Sequence, residues 1–126
     1  MYPVSEFQAL RPGMEGRTER VVDGSLLTRH VGGAGLFSTP SMILLMELTA
    51  HGSVAPHLPP GQTTVGYEVS VRHIAPAGAG DVVIVNSRLK EVTGNRLLFD
   101  VECSKEDVLV GSGTHKRAVL PQLSGR

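Results

Sequence analysis

One run of this chain, Ser41-Met42-Ile43-Leu44-Leu45-Met46-Glu47-Leu48-Thr49-Ala50, is almost wholly apolar and reads as a buried helix, whereas everything beyond Gly61 reads as strand. A chain with a single apolar helix and several long strands has to bury the helix against a sheet, which leaves a two-layer α+β architecture. The run begins at Thr39-Pro40, a helix start signal in which the Thr39 hydroxyl can cap a backbone N–H and Pro40 is preset at the first helical position. It is predicted to continue to Ser53 or Val54 and to stop before Pro56. Glu47 is the anomaly inside it. An ionised carboxylate in an apolar setting needs a hydrogen-bonding or charged neighbour or a shifted pKa, and either is what an active-site acid or base requires.

The strands follow from period-two alternation. In Val65–His73 the odd positions Val65, Tyr67, Val69, Val71 and His73 share one face and Gly66, Glu68, Ser70 and Arg72 the other, so His73 is predicted to face the helix. Asp81–Val92 is rich in β-branched residues, Thr93-Gly94 turns the chain, and Asn95–Ser104 points Leu97, Phe99, Val101 and Cys103 inward. Lys105-Glu106-Asp107 turns again before a last long strand, Val108–Leu120. Upstream, residues 1–16 read as irregular, and two short extended pieces, Thr18–Val22 and Ser25–His30, flank the turn Asp23-Gly24. The Gly-rich Val31-Gly32-Gly33-Ala34-Gly35 lacks the Lys-Ser/Thr of a phosphate loop and is read as a mobile loop before the helix.

Composition narrows the function. The 126 residues suit one domain spanning the chain, and twelve basic against twelve acidic residues leave no electrostatic footprint for nucleic acid or an anionic membrane. Cys103, the single cysteine, excludes an internal disulfide and suits a reducing cytoplasm. The amino terminus has neither the basic nor the apolar region of a secretion signal, and no stretch approaches the ~20 apolar residues of a membrane span, so the expectation is a soluble cytoplasmic protein.

A helix of this kind wrapped by an antiparallel sheet of about five strands is the hotdog arrangement. Phe37-Ser38-Thr39-Pro40, Glu47, Val65-Gly66, His73 and Gly113-Thr114-His115-Lys116-Arg117 together resemble the fluoroacetyl-CoA thioesterase family of single-hotdog proteins, over about residues 18–120. That family uses a Thr, a Glu eight positions later and a His twenty-six beyond the Glu, which correspond here to Thr39, Glu47 and His73. The resemblance implies that these three are catalytic, that Phe37, Gly66 and Arg117 help to form the substrate site, and that the protein is a homodimer with sites at the interface. It implies hydrolysis of a small acyl-CoA to free acid and CoA, with no metal and no cofactor beyond the CoA of the substrate. By parity Gly66 and His73 fall on opposite faces, which leaves Gly66 a backbone role such as close approach of the thioester. Fluoroacetyl-specific members carry a longer aromatic segment as a lid over the acyl group, whereas positions 31–36 here are short and without an aromatic.

Thioester hydrolysis needs an activated nucleophile and donors for an oxyanion. Free N–H groups at the helix start are candidates for the second. Glu47 can attack directly or activate water, and Thr39 can orient the attacking group or serve as nucleophile with His73 as base and acid. Three rivals compete with this reading. Glu47 with His51 and nearby His57 offers a metal hydrolase only two ligands on one helical turn, without the His-Glu-x-x-His pattern. The hotdog hydratases pair an Asp with a His five positions later, and none of Asp23, Asp81, Asp100 or Asp107 has such a partner. A non-catalytic acyl-CoA binding or sensing module is the third, since the same fold hosts both and only turnover separates them.

Overall fold

The structure, a computed structural model, describes residues 9–123. The elements run β1 (Glu15–Val21), a 3-10 turn at Gly24–Leu26, β2 (Leu27–Thr28), β3 (Leu36–Phe37), α1 (Thr39–Val54), a 3-10 turn at Ala55–His57, β4 (Gln62–His73), β5 (Val82–Thr93), β6 (Arg96–Lys105) and β7 (Val108–Pro121). Five strands form one antiparallel sheet in the order β1-β5-β6-β7-β4, and β2 and β3 pair separately as a short ribbon before the helix. Glu15 and Gly16 thus open β1 rather than closing an irregular segment, and residues 1–8 of that segment lie outside the described residues. The expected extended piece Ser25–His30 is strand only at Leu27–Thr28, and Ser25 and Leu26 fold as a turn because the Asp23 carboxylate accepts from the Ser25 backbone N–H at 2.9 Å and bends the chain there.

Strand alternation builds the core. Val83, Val85 and Leu89 of β5 and Leu97, Phe99, Val101 and Cys103 of β6 all point inward at 3% exposure or less and meet Met42, Leu45, Met46, Ala50 and Val54 of α1. Burial pushes the Cys103 thiol up to about 11, so it serves as a small apolar core group. No helix among the described residues is long and apolar enough to cross a membrane.

Two departures from the simple pattern bear on the site. The helix is apolar all round but is covered on one side only. It lies mainly against β1 and β5, which leaves Leu44 at 51% and Leu48 at 56% exposure on its far flank. The second departure is a β-bulge in β4. Gly66 pairs with Arg117 and Glu68 with Lys116, so Tyr67 is an extra residue that reverses parity along the strand. Thr64 and Gly66 before the bulge, and Val69, Val71 and His73 after it, therefore share the helix-facing side with His115, Arg117 and Val119 of β7. The parity reading that put Val65 and Tyr67 beside His73, and Gly66 opposite it, is corrected by that one residue. Tyr67 instead lies under the Arg96 guanidinium, 4.8 Å from its ring centroid.

Candidate active site

Ser38 rather than Thr39 caps the helix, its Oγ accepting from the Ser41 backbone N–H at 3.1 Å, and Pro40 is the second helical residue instead of the first. The one-residue shift releases the Thr39 hydroxyl. Its Oγ1 lies 2.8 Å from His73 Nδ1, which joins the helix start to the end of β4. Behind His73 stands Phe37, 2% exposed, with its ring edge-on to the imidazole at 5.9 Å. At that burial Phe37 braces His73 and offers a ligand little surface. Leu36, Ile74 and Pro76 surround the Thr39–His73 pair in an open hollow of about 290 Å³ with an apolar rim. The helix start itself supplies fewer oxyanion donors than expected. Pro40 has no N–H and that of Ser41 is taken by Ser38, so of the first three positions only Thr39 has one to offer.

Glu47 lies two turns further on, about 12 Å along the helix axis from Thr39. Its side chain is 35% exposed, so the carboxylate is not buried in the apolar helix but sits on the uncovered flank beside Leu44 and Leu48. Its partner is Arg117, with Nη1 3.9 Å from Oε2. Arg117 is 7% exposed and held by β4, donating from Nε to Thr64 Oγ1 at 2.7 Å and from Nη2 to the Thr64 carbonyl at 3.0 Å. Gly66 completes this group. A Cβ placed there would stand 2.8 Å from Glu47 Oε2 and 2.8 Å from His115 Cε1, so only glycine leaves room for both side chains. Its contribution is space, on the same face as His73.

The six residues expected to form the site thus gather as two groups of three: Thr39, His73 and Phe37 at the helix start, and Glu47, Gly66 and Arg117 at its middle. Within one chain Glu47 does not reach Thr39 or His73.

Three further polar residues attach to the second group. His115, 1% exposed, places Nδ1 2.9 Å from the Glu68 carbonyl and Nε2 3.2 Å from Arg117 Nη1. His51 Nδ1 lies 2.7 Å from Thr64 Oγ1, the hydroxyl that also receives Arg117 Nε. Sequence reasoning quoted His115 only within the run Gly113–Arg117 and gave it no role, passed over Thr64, and weighed His51 only as a metal ligand. The missed signal was parity, since His115 and Arg117 fall in step with Val119 of β7. Among the described residues no group of three or more His, Cys, Asp or Glu side chains is placed to hold a metal ion.

Burial lowers the pKa of His115, with the Arg117 charge adding to the effect against the opposing Glu68 carbonyl and Glu47, and burial followed by Arg117 lowers that of His51. Both imidazoles then bind fewer protons folded than unfolded, so the stability they confer is complete above the unfolded value of 6.5 and is lost as pH falls below it. Between pH 7.5 and 5 the melting temperature should fall, with a slope of at most about 1.4 kcal/mol per pH unit for each histidine. A melting temperature that stays level across that range, read by circular dichroism, would show that the two rings are not held neutral. Asp23 and Asp81, whose pKa values hydrogen bonds lower, act in a separate and more acid window.

One long helix packed on a five-stranded antiparallel sheet defines a hotdog protein. The chain belongs to the fluoroacetyl-CoA-specific thioesterase family, whose model matches residues 14–123. It is 38% identical over 85 residues to the fluoroacetyl-CoA thioesterase of Streptantibioticus cattleyicolor, a stretch covering 68% of this chain and 61% of that protein, so the match spans less than two thirds of the relative's length. A crystal structure of a fluoroacetyl-CoA thioesterase superposes with a TM-score of 0.82 at 32% identity, covering 89% of each chain. A thioesterase superfamily member from Thermus thermophilus gives 0.80 at 31% identity over 88% of this chain and 84% of its own. A hotdog-like protein from Thermanaerovibrio acidaminovorans gives 0.83 at 25% identity, covering 91% and 87%.

Proposed function

We propose that the protein is an acyl-CoA thioesterase that hydrolyses a small acyl-CoA to free acid and CoA, working as a homodimer whose sites each combine Thr39 and His73 of one protomer with Glu47 and Arg117 of the other. The observation that carries the reading is the Thr39–His73 hydrogen bond at the floor of the apolar-rimmed hollow, in a chain whose relatives are thioesterases. A variant of the related fluoroacetyl-CoA thioesterase has been crystallised with fluoroacetate and CoA.

The dimer is supported by what one chain leaves uncovered. β4 is twelve residues long, lies at the sheet edge, and carries exposed Val65, Tyr67 and Val69, a surface that single chains in water rarely leave open. Leu44 and Leu48 remain exposed on either side of Glu47. A two-fold axis beside β4 would pair the two edges and run the helices antiparallel, bringing the start of one helix to the middle of the other. In that arrangement the partner removes Glu47 from water and sets it before the Thr39–His73 pair. Glu47 then takes a proton from a water that adds to the thioester carbonyl, or adds to it itself and leaves an acyl-Glu47 anhydride that a water cleaves. In both routes the C–S bond breaks, the CoA thiolate leaves and receives by way of His73 the proton the water gives up, and Thr39 orients the acyl group. Arg117 keeps the carboxylate aimed. The lone, inert cysteine and a CoA substrate suit the cytoplasm.

Incubating purified protein with acyl-CoA thioesters of graded length and detecting free thiol tests the function. Release above the buffer rate from acetyl- or propionyl-CoA is expected, and binding without turnover for every thioester would make the protein an acyl-CoA sensing module. Fluoroacetyl- and acetyl-CoA should differ modestly once each rate is divided by its hydroxide-catalysed rate, because a small change in an apolar pocket is worth only ~1–3 kcal/mol. A corrected preference of several orders of magnitude would mean that a partner residue rebuilds the aromatic wall absent from residues 31–36.

A further inference from the structure

We infer that His115 is a positioning residue of the Glu47 half of the site, a neutral imidazole that ties Arg117 to the backbone of β4 and so fixes the guanidinium in front of the carboxylate. The inference rests on the thioesterase reading for its consequence in turnover, but its structural content stands apart from it. A carbonyl oxygen only accepts and a guanidinium only donates. His115 Nδ1 faces the Glu68 carbonyl at 2.9 Å and Nε2 faces Arg117 Nη1 at 3.2 Å, so one protonation state fits, with the proton on Nδ1 and a lone pair on Nε2. A second proton would set N–H against N–H.

The surroundings hold the ring in that role. It stacks on Phe99 with centroids 6.4 Å apart and planes at 29°, is 1% exposed, and has its Cε1 beside the position where any side chain at residue 66 would collide. Glu68, whose carbonyl it engages, is the first residue after the bulge that turns Gly66 toward the helix. Arg117 is thereby gripped at three nitrogens: Nε and Nη2 by Thr64, and Nη1 by His115. The grip leaves Nη1 as the corner presented to Glu47. Without the His115 acceptor the guanidinium keeps its anchor on Thr64 and loses the contact that sets its tilt toward the carboxylate.

Asparagine and glutamine divide the two contacts, since Asn reproduces the Nδ1 position and Gln the Nε2 position. His115→Asn keeps the bond to Glu68 and should lower kcat/KM about 10- to 100-fold, the effect of losing one hydrogen bond to a charged group. His115→Gln keeps the acceptor for Arg117 and should recover most of that loss at some cost in melting temperature. In an Arg117→Ala background the Asn substitution should change kcat/KM by less than about twofold, since coupled residues lose additivity. Equal losses for Asn and Gln, no loss for Asn, or an undiminished loss in the Arg117→Ala background would each overturn the positioning role. Nitrogen-15 NMR of the wild-type imidazole at pH 7 tests the structural content without turnover or variants. Protonation at Nδ1 alone is expected, and a proton on Nε2 would refute the inference even if every variant failed to fold. A wild-type protein that hydrolyses nothing yet shows the Nδ1 tautomer would refute the thioesterase reading alone.

Discussion

Replacing Glu47 by glutamine should lower turnover of a short acyl-CoA by ~10²-fold or more, because the amide keeps the shape of the side chain but can neither attack a carbonyl nor take a proton from water. KM should change far less, since the group acts on the reacting carbon rather than on the CoA. Folding should survive. Within one chain the Glu47–Arg117 pair spans 3.9 Å with a carboxylate 35% exposed, and partly solvated pairs of that kind contribute only ~0–1 kcal/mol to the fold of the protomer. No gain in stability should accompany the substitution, because in the protomer the charge is not buried in the apolar helix and its removal leaves the Arg117 cation, 7% exposed, without its counterion. Steady-state rates from free-thiol release, beside a melting curve of the same sample, separate the two effects. Wild-type turnover in Glu47→Gln would make Glu47 a structural partner of Arg117 and move the chemistry wholly to Thr39 and His73.

How much of this was legible in the sequence depended on how local the determinant was. β6 obeys period two, so Leu97, Phe99, Val101 and Cys103 were read correctly as a buried row from their order alone, whereas β5 and β7 shift register at Lys90 and Val110. The helix bounds followed from Thr39-Pro40 and Pro56, although choosing between Ser38 and Thr39 as the cap takes backbone dihedrals. That choice has a chemical consequence, for a capping Thr39 would spend its hydroxyl on the backbone instead of on His73. The bulge at Tyr67 left no such trace, since one inserted residue reverses every later side chain while the hydrophobic pattern on either side still reads as good strand. Parity counted through it misplaced Gly66, Val65 and Tyr67. Identifying Thr39, Glu47 and His73 as one site came from resemblance and spacing. The chain alone divides them, and in the proposed dimer the exposed Leu44, Leu48 and Val69 are the apolar surface that a second molecule would close.

That division yields the sharpest test of how the site is assembled. If each site draws Thr39 and His73 from one protomer and Glu47 and Arg117 from the other, two inactive variants should repair one another when their subunits exchange. Glu47→Gln and His73→Ala homodimers each carry a defect in both sites. A mixed dimer combines the intact His73 of the first variant with the intact Glu47 of the second in one site and gathers both lesions in the other. Random exchange of equal amounts makes half the dimers mixed, so activity should rise from the residual level of either variant to roughly a quarter of wild type. A site built within one chain gives the opposite result, because every site in the mixed dimer would still hold one lesion. The experiment needs the variants unfolded and refolded together, or co-expressed with distinct tags, with refolded single variants as the control for recovery. Activity that stays at the residual level in a verified mixed dimer would rule out the shared site. It would leave Glu47, about 12 Å along the helix axis from Thr39, outside the chemistry of the Thr39–His73 pair.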